Sequence, residues 1–483
     1  MHIPIAISWQ ESTGWGTLLH FVLAGLTLPS ILSFKKESIS ALAWCLTVVF
    51  LPVLGFILYW TFGYQSVHRP LKRRQAHARA FRMRTEAIGE LAPTPLAQRG
   101  GDWEDLARLA GRLGASPVVG GNRVDLFYEG QPAFEAMLKA IREAKHHVHI
   151  EFFIFRADES GRQFIEAMVE RARAGVQVRF VYDAVGCWGL KSQLLRALTD
   201  AGGHVHPFLP LLTPLRRLRI NLRNHRKIVV VDGRIAFTGG LNIGDEYLGK
   251  SPFFGPWRDT HLRLEGPAVR WIQRVFLEDW DFAAGEDVTG LDYFPTVEVT
   301  GDISAQIAWS GPDQEIKTIR EVLFAVIMKA KERVWLASPY FVPDAGLLDA
   351  LCLAARSGRD VRLLCLFRPD KWVPFLAARY YWHDALAAGV KIYQFTKGFM
   401  HAKVMIADDC WASVGSANFD NRSLYLNFEM NCLFESQSVV QQLEADFLRD
   451  FTTSIRVDPV QFEKRPWVSR IAENTCRLAS PIL

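Results

Sequence analysis

The sequence predicts an α/β protein in which one α/β unit is duplicated, preceded by two apolar segments. In the first unit, HVHIEFFIF is a β-branched and aromatic run, GRQFIEAMVERARAGV has helical periodicity, and QVRFVYDAVG is typical of a strand. In the second unit, VWLASPYFV, GLLDALCLAARSGR and DVRLLCLF follow in the same order. Both units end in the same spaced set of polar residues. This predicts an internal duplication, because generic strand and helix patterns do not repeat a polar motif by chance.

Two apolar segments precede the duplicated units. The chain contains no Asp, Glu, Lys or Arg between Glu11 and Lys35, nor between Glu37 and His68. Roughly 20 apolar residues suffice to cross a bilayer, so we predict spans at about 14–34 and 40–63. The short KKES between them predicts a transmembrane hairpin within residues 1–67. A cleaved signal peptide is the alternative, but no Lys or Arg precedes the first apolar run.

A basic segment, HRPLKRRQAHARAFRMR, follows the second apolar segment and holds no acidic residue. Lys and Arg beside a membrane helix favour the cytoplasmic side and the headgroups of anionic lipids. We therefore predict a basic juxtamembrane segment and linker over residues 68–121, a first α/β domain at 122–295 and a second at 296–483. The net charge of the chain is only +5, which does not indicate a nucleic-acid partner.

The polar motif reads NHRKIVVVDGRIAFTGGLN in residues 224–242 and MHAKVMIADDCWASVGSAN in residues 400–418. Each copy has His, one residue, Lys, four residues, Asp, six residues, Gly, two further residues and Asn. His and Lys lie two apart ahead of a predicted strand, so their side chains face the same way. If the halves pair face to face, one site collects two of each polar type, namely His225, Lys227, Asn242, His401, Lys403 and Asn418.

This set of side chains suits phosphoryl transfer without a metal. Lysines and asparagines can neutralise and hydrogen-bond the phosphate oxygens, while one imidazole attacks phosphorus and the other protonates the leaving oxygen. Each histidine then needs a carboxylate to orient it, and Asp259 in PWRDTH and Glu429 in NFEMN are the candidates. The seven cysteines are scattered and form no CxxC, so we predict no zinc site, no disulfide framework and no cofactor.

Two further segments are candidates for contact with lipid. An apolar loop at 207–215 precedes Arg216, Arg217, Arg219 and Arg223, and either dips into an anionic interface or forms a buried connector. KWVPFLAARYYWHDAL concentrates aromatic residues at helical spacing, which is typical of a core and is also compatible with a substrate or membrane rim.

The motif residues carry a resemblance to a known family. HRKIVVVD…GGLN and HAKVMIAD…GSAN are similar to the paired HKD motifs of the phospholipase D superfamily. GPWRDTHLRLEGPAV, NFDNRSLYLNFE and RLASPIL, together with a double-span N-terminal region, resemble bacterial cardiolipin synthases. The resemblance implies two phospholipase D-like α/β/α sandwich domains around a shared interface site. It also implies transfer of a phosphatidyl group between two phosphatidylglycerol molecules, giving cardiolipin and glycerol, by a multi-pass protein of the bacterial inner membrane with cytoplasmic catalytic domains.

The resemblance also implies a role for each motif residue. The catalytic set is His225, Lys227, Asp232, His401, Lys403 and Asp408, with Gly240, Asn242, Ser416 and Asn418 at the substrate and Asp259 and Glu429 in support. By analogy His225 is the nucleophile and His401 the acid and base, while Asp232 and Asp408 brace the motif strands. Asp259 follows its motif at a slightly different spacing from Glu429.

Three other functions use the same features. Water as the acceptor gives a phospholipase D hydrolase, a phosphodiester in DNA gives a superfamily nuclease, and an inactive site gives a scaffold. The apolar segments and the mild net charge argue against the nuclease. Both motifs are complete, which argues against the scaffold. The sequence does not fix the oligomeric state.

Overall fold

The computed structural model describes residues 9–34, 38–63, 102–210, 221–288 and 290–483. These residues belong to two compact units, of which the smaller holds residues 9–34 and 38–63. Residues 68–101 of the predicted basic segment and residues 211–215 of the predicted apolar loop lie outside the described residues.

The smaller unit is helical. Its helices are Trp9–Phe34, Ser38–Phe50 and Pro52–Leu58, followed by a π-helix at Tyr59–Gly63. Ile31, Val48 and Tyr59 are buried at its centre, and the Ser30 hydroxyl lies 3.1 Å from the Tyr59 hydroxyl. Among the described residues, no helix is both long enough and apolar enough to cross a membrane.

The second predicted span, at about 40–63, is a broken helix rather than a continuous one. Leu51 leaves the helical region, with φ −131° and ψ 66°, and Pro52 opens the next helix. A proline has no backbone N–H and disfavours a helical residue before it, which explains the break. The prediction of a transmembrane hairpin is therefore not confirmed by this unit.

The described part of the larger unit begins with a helix at Asp102–Arg112 and continues into the first half of the duplication. The strands of this half are β1 (Val119–Glu129), β2 (His147–Phe152), β3 (Gln177–Asp183), β4 (His204–Phe208), β5 (Arg223–Asn224), β6 (Ile228–Val231), β7 (Ile235–Gly239) and β8 (Trp257–Glu265). Its α-helices are Gly130–Glu143, Glu159–Arg173, Ser192–Asp200 and Val269–Ala284, with 3-10 turns at Asp245–Leu248 and Leu291–Tyr293.

The second half repeats this arrangement. Its strands are β9 (Ile303–Ser310), β10 (Arg333–Ala337), β11 (Phe341–Val342), β12 (Asp360–Leu366), β13 (Lys391–Phe395), β14 (Phe399–Met400), β15 (Val404–Ala407), β16 (Trp411–Gly415), β17 (Phe419–Asp420), β18 (Asn427–Glu435) and β19 (Ser454–Arg456). Its helices are Thr318–Lys329, Ala345–Arg356, Trp372–Ala387, Gln437–Thr452, Pro459–Glu463 and Trp467–Arg477, with a π-helix at Arg422–Leu426 and a 3-10 turn at Ser480–Ile482.

Hydrogen-bonded strands run continuously from one half into the other. The order is β4-β3-β2-β6-β7-β8-β1 in the first half and β9-β18-β16-β15-β10-β12-β13-β19 in the second, with β1 and β9 paired antiparallel. Each half contains three parallel strands, β2, β3 and β4 or β10, β12 and β13, and the motif forms an antiparallel hairpin beside them, β6–β7 or β15–β16. The duplicated α/β fold is thus confirmed.

Helices cover both faces of each sheet. In the first half, Val148, Ile150 and Phe152 of β2 pack into an apolar core with helices Gly130–Glu143 and Glu159–Arg173. Alternate residues of a strand point to opposite faces, so His147 and His149 face helix Val269–Ala284 and contact its Gln273.

The helix at Asp102–Arg112 lies in the range predicted as a linker, and its packing partner is the second half. Leu106 and Ala110 are buried in the same core as Ile319 and Val322, and Gln306 donates a hydrogen bond to the Ala107 carbonyl at 3.0 Å. This helix therefore precedes the first half along the chain but packs in the core of the second half. The division of the duplicated region at residue 295 stays a prediction.

Asp232 and Asp408 occupy the same position in the two motif hairpins. The Asp232 carboxylate accepts hydrogen bonds from the backbone N–H of Lys145, His146 and His147, at 2.7–2.9 Å. Asp408 accepts from the N–H groups of Lys331, Glu332 and Arg333 in the same way. Both aspartates have a positive φ, +53° and +50°, in the left-handed region. Each fixes the start of the neighbouring strand at the end of the hairpin away from the motif histidine.

We expect Asp232→Ala to lower the free energy of unfolding by about 2–4 kcal/mol, because it removes hydrogen bonds to a carboxylate and leaves a Cβ in the left-handed region. Asp232→Asn is the matched control, since asparagine tolerates this backbone and keeps one acceptor oxygen; its loss should be about 1 kcal/mol. Denaturant unfolding of the two variants measures the difference. An alanine variant as stable as the parent protein would contradict the bracing role.

Candidate active site

Each motif histidine is held by a strand from the other half. β5 immediately precedes His225 and pairs in parallel with the start of β18, and the His225 N–H donates to the Phe428 carbonyl at 2.9 Å. β14 immediately precedes His401 and pairs in parallel with the start of β8, and the His401 N–H donates to the Arg258 carbonyl at 2.7 Å. The two motifs are therefore locked together reciprocally.

The histidine side chains are paired with carboxylates across the same boundary. His225 Nδ1 lies 2.9 Å from Glu429 Oε1, and His401 Nδ1 lies 2.9 Å from Asp259 Oδ2. Both carboxylates are completely buried. Because each carboxylate occupies Nδ1, Nε2 of each ring is left for chemistry. The two sequence candidates for orienting groups are thus beside the histidines, and each serves the motif of the opposite half.

The strand register makes Asp259 and Glu429 equivalent. Gly239 pairs with His261 in the first half and Gly415 pairs with Asn431 in the second, and each carboxylate stands two residues before that partner. Their different spacing along the chain arises before the strand begins. The first half places a 3-10 turn and a long loop there, whereas the second half has the π-helix at Arg422–Leu426.

The two motif lysines are buried beside the histidines. Lys227 Nζ donates to the His225 carbonyl at 2.5 Å, and Lys403 Nζ lies 2.9 Å from His401 Nδ1. Burial lowers the pKa of Lys227 to about 7 and that of Lys403 to about 8, although the charges of Glu429 and Asp259 oppose the shift. The pKa values of both lysines therefore lie close to neutral pH.

The two histidines are neutral in this site. Burial, then the charges of Lys227 and Lys403, lower the pKa of His225 well below its usual range. Burial and the charge of Lys403 lower the pKa of His401 to about 4. Each histidine is within the electrostatic reach of both lysines, so the motifs form one site and not two.

The two carboxylates differ in their ionisation. Burial raises the pKa of Glu429 to about 7. Burial also acts to raise the pKa of Asp259, but the charge of Lys403 and the hydrogen bond with His401 outweigh it, and this pKa falls below its usual value. Asp259 is therefore ionised at neutral pH, whereas Glu429 is close to its titration midpoint.

Gly240 and Ser416 occupy equivalent positions, each beside the carboxylate of its own half. A Cβ at Gly240 would lie 1.9 Å from Asp259 Oδ1, so only glycine leaves room for the carboxylate. At the equivalent position the Ser416 hydroxyl donates to Glu429 Oε2 at 2.5 Å. The small residue of each motif thus sets the position of the carboxylate in its own half, which in turn orients the histidine of the other half.

The two motif asparagines are not equivalent. Asn242 Oδ1 accepts a hydrogen bond from the Ile154 N–H at 3.1 Å. Asn418 is buried too, and its Oδ1 has no partner among the described residues. Predicted substrate contacts of these side chains stay predictions, with Asn418 the more available of the pair.

Several residues at the site were missed by the sequence reasoning. Asp183, at the carboxyl end of a parallel strand, accepts from the Asn224 N–H at 3.0 Å and so fixes the chain entering His225. The ring of Phe153 lies 4.7 Å from that of His225, and the ring of Trp257 lies 5.4 Å from that of His401. Asp183 could have been predicted from its position at the end of a strand, because ligands bind at the carboxyl ends of the strands in α/β sheets.

Arg226, between His and Lys of the first motif, was also missed. Its side chain is buried and points away from His225, pairing with Asp279 and donating to the Glu429 carbonyl at 3.3 Å. It thereby holds the strand that carries Glu429. The second motif has Ala402 at this position.

Within the parts of the chain that the structure describes, no group of three or more His, Cys, Asp or Glu side chains is arranged to hold a metal ion. The polar groups that meet at the site are two imidazoles, two ammonium groups and two carboxylates. This donor set suits an anionic phosphodiester, because lysines can neutralise its oxygens and the imidazoles can transfer protons.

The duplicated fold and the paired motifs define a protein of the phospholipase D class. A sequence profile described as "Cardiolipin synthase, PLD-like domain" matches residues 137–280 and 323–451, and one described as "Phospholipase_D-nuclease N-terminal" matches residues 22–63. The chain belongs to the PLD-like cardiolipin synthase family.

Relatives support this membership over almost the whole chain. A protein named cardiolipin synthase from Geobacillus kaustophilus is 43% identical over 456 residues, covering 93% of this chain and 90% of the relative. One from Alkalihalophilus pseudofirmus is 41% identical, covering 99% of this chain and 96% of the relative. The crystal structure of phosphatidylserine synthase from Haemophilus influenzae shares the fold, with a TM-score of 0.60 and 14% identity over 78% of this chain and 100% of that one.

We expect Gly240→Ala to lower kcat/KM for phosphatidylglycerol about 100-fold, because the added methyl displaces Asp259 and misplaces His401 by roughly 1 Å. Gly111→Ala is the matched control. Its Cβ would come no closer than 3.9 Å to another residue, Gln306, so activity should be kept. Turnover is compared after thermal unfolding has shown that both variants fold. Full activity in Gly240→Ala would contradict the need for the Asp259 position.

Proposed function

We propose that the chain is a cardiolipin synthase, transferring a phosphatidyl group from one phosphatidylglycerol to another and releasing glycerol. The observation that carries the proposal is the reciprocal pairing of His225 with Glu429 and of His401 with Asp259 around two buried lysines. Relatives named cardiolipin synthase, 41–43% identical over nearly the full chain, support the substrate class.

In the first step, His225 Nε2 attacks phosphorus and the bond from phosphorus to the glycerol oxygen breaks. A nucleophile must be neutral, and the lowered pKa of His225 supports this role. His401 gives its proton to the departing glycerol oxygen, so the products are glycerol and a phosphatidyl-histidine. The ionised Asp259 stabilises the imidazolium form of His401 through their hydrogen bond.

In the second step, His401 takes a proton from a hydroxyl of the second phosphatidylglycerol. That oxygen attacks phosphorus, the bond from phosphorus to His225 breaks, and cardiolipin leaves. One histidine cannot hold and lack a proton at the same moment, so the reaction needs two with opposite protonation. The different carboxylates support assigning the nucleophile to His225 and the acid and base to His401.

Lys227 and Lys403 hold the phosphodiester. Each ammonium uses part of its donor capacity on its own motif and keeps further N–H groups for phosphate oxygens. Both are buried, so their attraction for an anion is stronger than it would be in water. Asn418 Oδ1, which has no partner among the described residues, can accept a hydrogen bond from a hydroxyl of the glycerol headgroup.

We also propose that the chain is a multi-pass protein of the bacterial inner membrane with its catalytic unit on the cytoplasmic side. Residues 22–63 match the N-terminal family profile, and the helices there expose apolar side chains such as Phe21, Leu32 and Phe50. The basic sequence that follows supports the orientation. Protease accessibility of the catalytic unit in inside-out vesicles, and protection in right-side-out vesicles, tests it.

Purified protein given phosphatidylglycerol in detergent, with excess EDTA, is expected to form cardiolipin and glycerol. His225→Ala and His401→Ala should each abolish turnover, since each removes one of two obligatory proton or phosphoryl carriers. Lipid products separated by chromatography decide between the alternatives. Phosphatidic acid as the main product would indicate a hydrolase, cleaved DNA with inert lipid a nuclease, and no turnover a scaffold. Substantial activity in either alanine variant would refute the two-histidine mechanism.

The lysine pKa values predict how activity depends on pH. A lysine carries its charge below its pKa, so the attraction for the phosphodiester is present at low pH and is lost as pH rises through about 7 to 8. We expect kcat/KM to fall above this range, about tenfold per pH unit for each lysine lost. In Lys403→Arg the guanidinium stays charged, so the contribution of this position to the decline should disappear. An unchanged alkaline limb in that variant would show that another group controls it.

A further inference from the structure

Three loops around the active site carry exposed aromatic side chains. Trp188 is 76% exposed, Phe253 is 77% exposed and Trp372 is 67% exposed. Trp188 and Trp372 occupy matching places in the two halves, since each follows the second parallel strand, β3 or β12, and stands at or just before the next helix. Both halves therefore carry an exposed tryptophan in the equivalent loop.

The loop carrying Trp188 is anchored to His225. Cys187 Sγ lies 3.5 Å from the Phe153 carbonyl, and the Phe153 ring packs against His225. A Cβ at Gly186 would lie 2.0 Å from the same carbonyl, so the loop sits directly on the residue that contacts the histidine. Trp188 therefore stands at the rim of the site.

The loop carrying Phe253 is anchored to His401. The Phe253 ring packs on Phe254 at 4.9 Å, and Phe254 lies 5.4 Å from Trp257 and 5.0 Å from Phe399. Trp257 and Phe399 both pack against the His401 ring, at 5.4 and 6.2 Å. A column of aromatic rings thus leads from His401 to the exposed Phe253.

The loop carrying Trp372 is anchored near Lys403. Asp370 accepts hydrogen bonds from the Tyr340 hydroxyl at 2.7 and 2.8 Å, and its charge acts on Lys403. Asp370 is the only acidic residue in the three loops, 184–191, 249–256 and 367–373. Asp370 is half-buried and hydrogen-bonded by the Tyr340 hydroxyl.

Cations accompany the aromatic residues. Lys191, Arg368 and Lys371 are exposed in or beside the loops of Trp188 and Trp372. Lys397 is exposed next to Gly398, where a Cβ would lie 2.1 Å from the Pro256 carbonyl of the Phe253 loop. Aromatic rings with lysine and arginine match the headgroup level of an anionic bilayer, where the rings bury and the cations meet phosphate.

We propose that these three loops form a bilayer-docking rim, by which the catalytic unit seats its active site on an anionic lipid surface. The three aromatic side chains enter the headgroup region, and Lys191, Arg368, Lys371 and Lys397 contact lipid phosphates. The proposal rests on the proposed function for the identity of the surface, because a phosphatidylglycerol bilayer is anionic. Seating would bring the lipid headgroup to the histidines without extracting the lipid into water.

Hydrogen exchange of the full chain, reconstituted in bilayers, tests the rim without requiring turnover. Backbone amides of the three loops are compared in phosphatidylcholine vesicles with and without phosphatidylserine. We expect exchange in all three loops to slow about tenfold when the anionic lipid is present. Equal exchange in both bilayers would overturn the proposal, as would protection that depends on protein concentration, which would indicate a second copy of the chain.

Variants give an independent reading. Trp188→Ala and Trp372→Ala should each raise the KM for phosphatidylglycerol in vesicles roughly five- to tenfold and leave kcat unchanged. Both should act normally on a short-chain phosphatidylglycerol dispersed as monomers. Trp467→Ala is the matched control, because Trp467 is 71% exposed and begins helix Trp467–Arg477, outside the three loops.

Equal losses on monomeric and bilayer substrate would overturn the docking role. If no cardiolipin forms at all, the proposed function fails, and the exchange experiment still decides whether the loops bind an anionic bilayer.

Discussion

The active site depends on one constraint: the histidine of each half is paired with a carboxylate of the other half. His225 is oriented by Glu429 and His401 by Asp259, and the same boundary is crossed by backbone hydrogen bonds to Phe428 and Arg258. A half taken alone would have a carboxylate without its histidine and a histidine without its carboxylate. The continuous strand order through β1 and β9 fixes the alignment of the halves that these contacts need. Duplication of the fold and completion of the site are therefore one requirement.

Within this pseudo-symmetric frame the two histidines have different surroundings. Glu429 is hydrogen-bonded by Ser416 and Asn427, and its strand is held from behind by Arg226. Asp259 instead lies over Gly240 and beside the Trp257 ring nitrogen, at 3.4 Å. The repeated motif supplies the shared geometry. The ionisation differs because the charge of Lys403 and the hydrogen bond with His401 outweigh burial in setting the pKa of Asp259, whereas burial prevails for the pKa of Glu429.

Much of the fold and most of the site could be predicted from the sequence, for reasons that particular residues make clear. Strands and helices of the βαβ units were readable because Val148, Ile150 and Phe152 alternate with polar residues and the following segment has helical periodicity. The crossing of Asp259 and Glu429 was not readable, because each follows its own motif along the chain and only the strand pairing carries it to the other half. Packing of helix Asp102–Arg112 on the second core was hidden for the same reason. The break at Pro52 was visible in the sequence, but apolar composition outweighed it in the prediction of a continuous span.

Charge balance links the buried site to the proposed reaction. Two buried lysines face two carboxylates, one ionised and one near its midpoint, so the empty site has no need of a further cation, and the pKa of His401 is lowered to about 4. A phosphodiester brings one negative charge into this low-dielectric space, and buried charges are tolerated when they are paired. On the proposed mechanism, substrate binding thus makes an imidazolium at His401 favourable when a leaving oxygen needs its proton. Transfer of that proton to glycerol returns His401 to its neutral form, in which it can accept a proton from the incoming hydroxyl. The charge of the substrate would then determine when His401 acts as an acid and when it acts as a base. The lysines would both bind the phosphodiester and keep His401 neutral until the substrate binds.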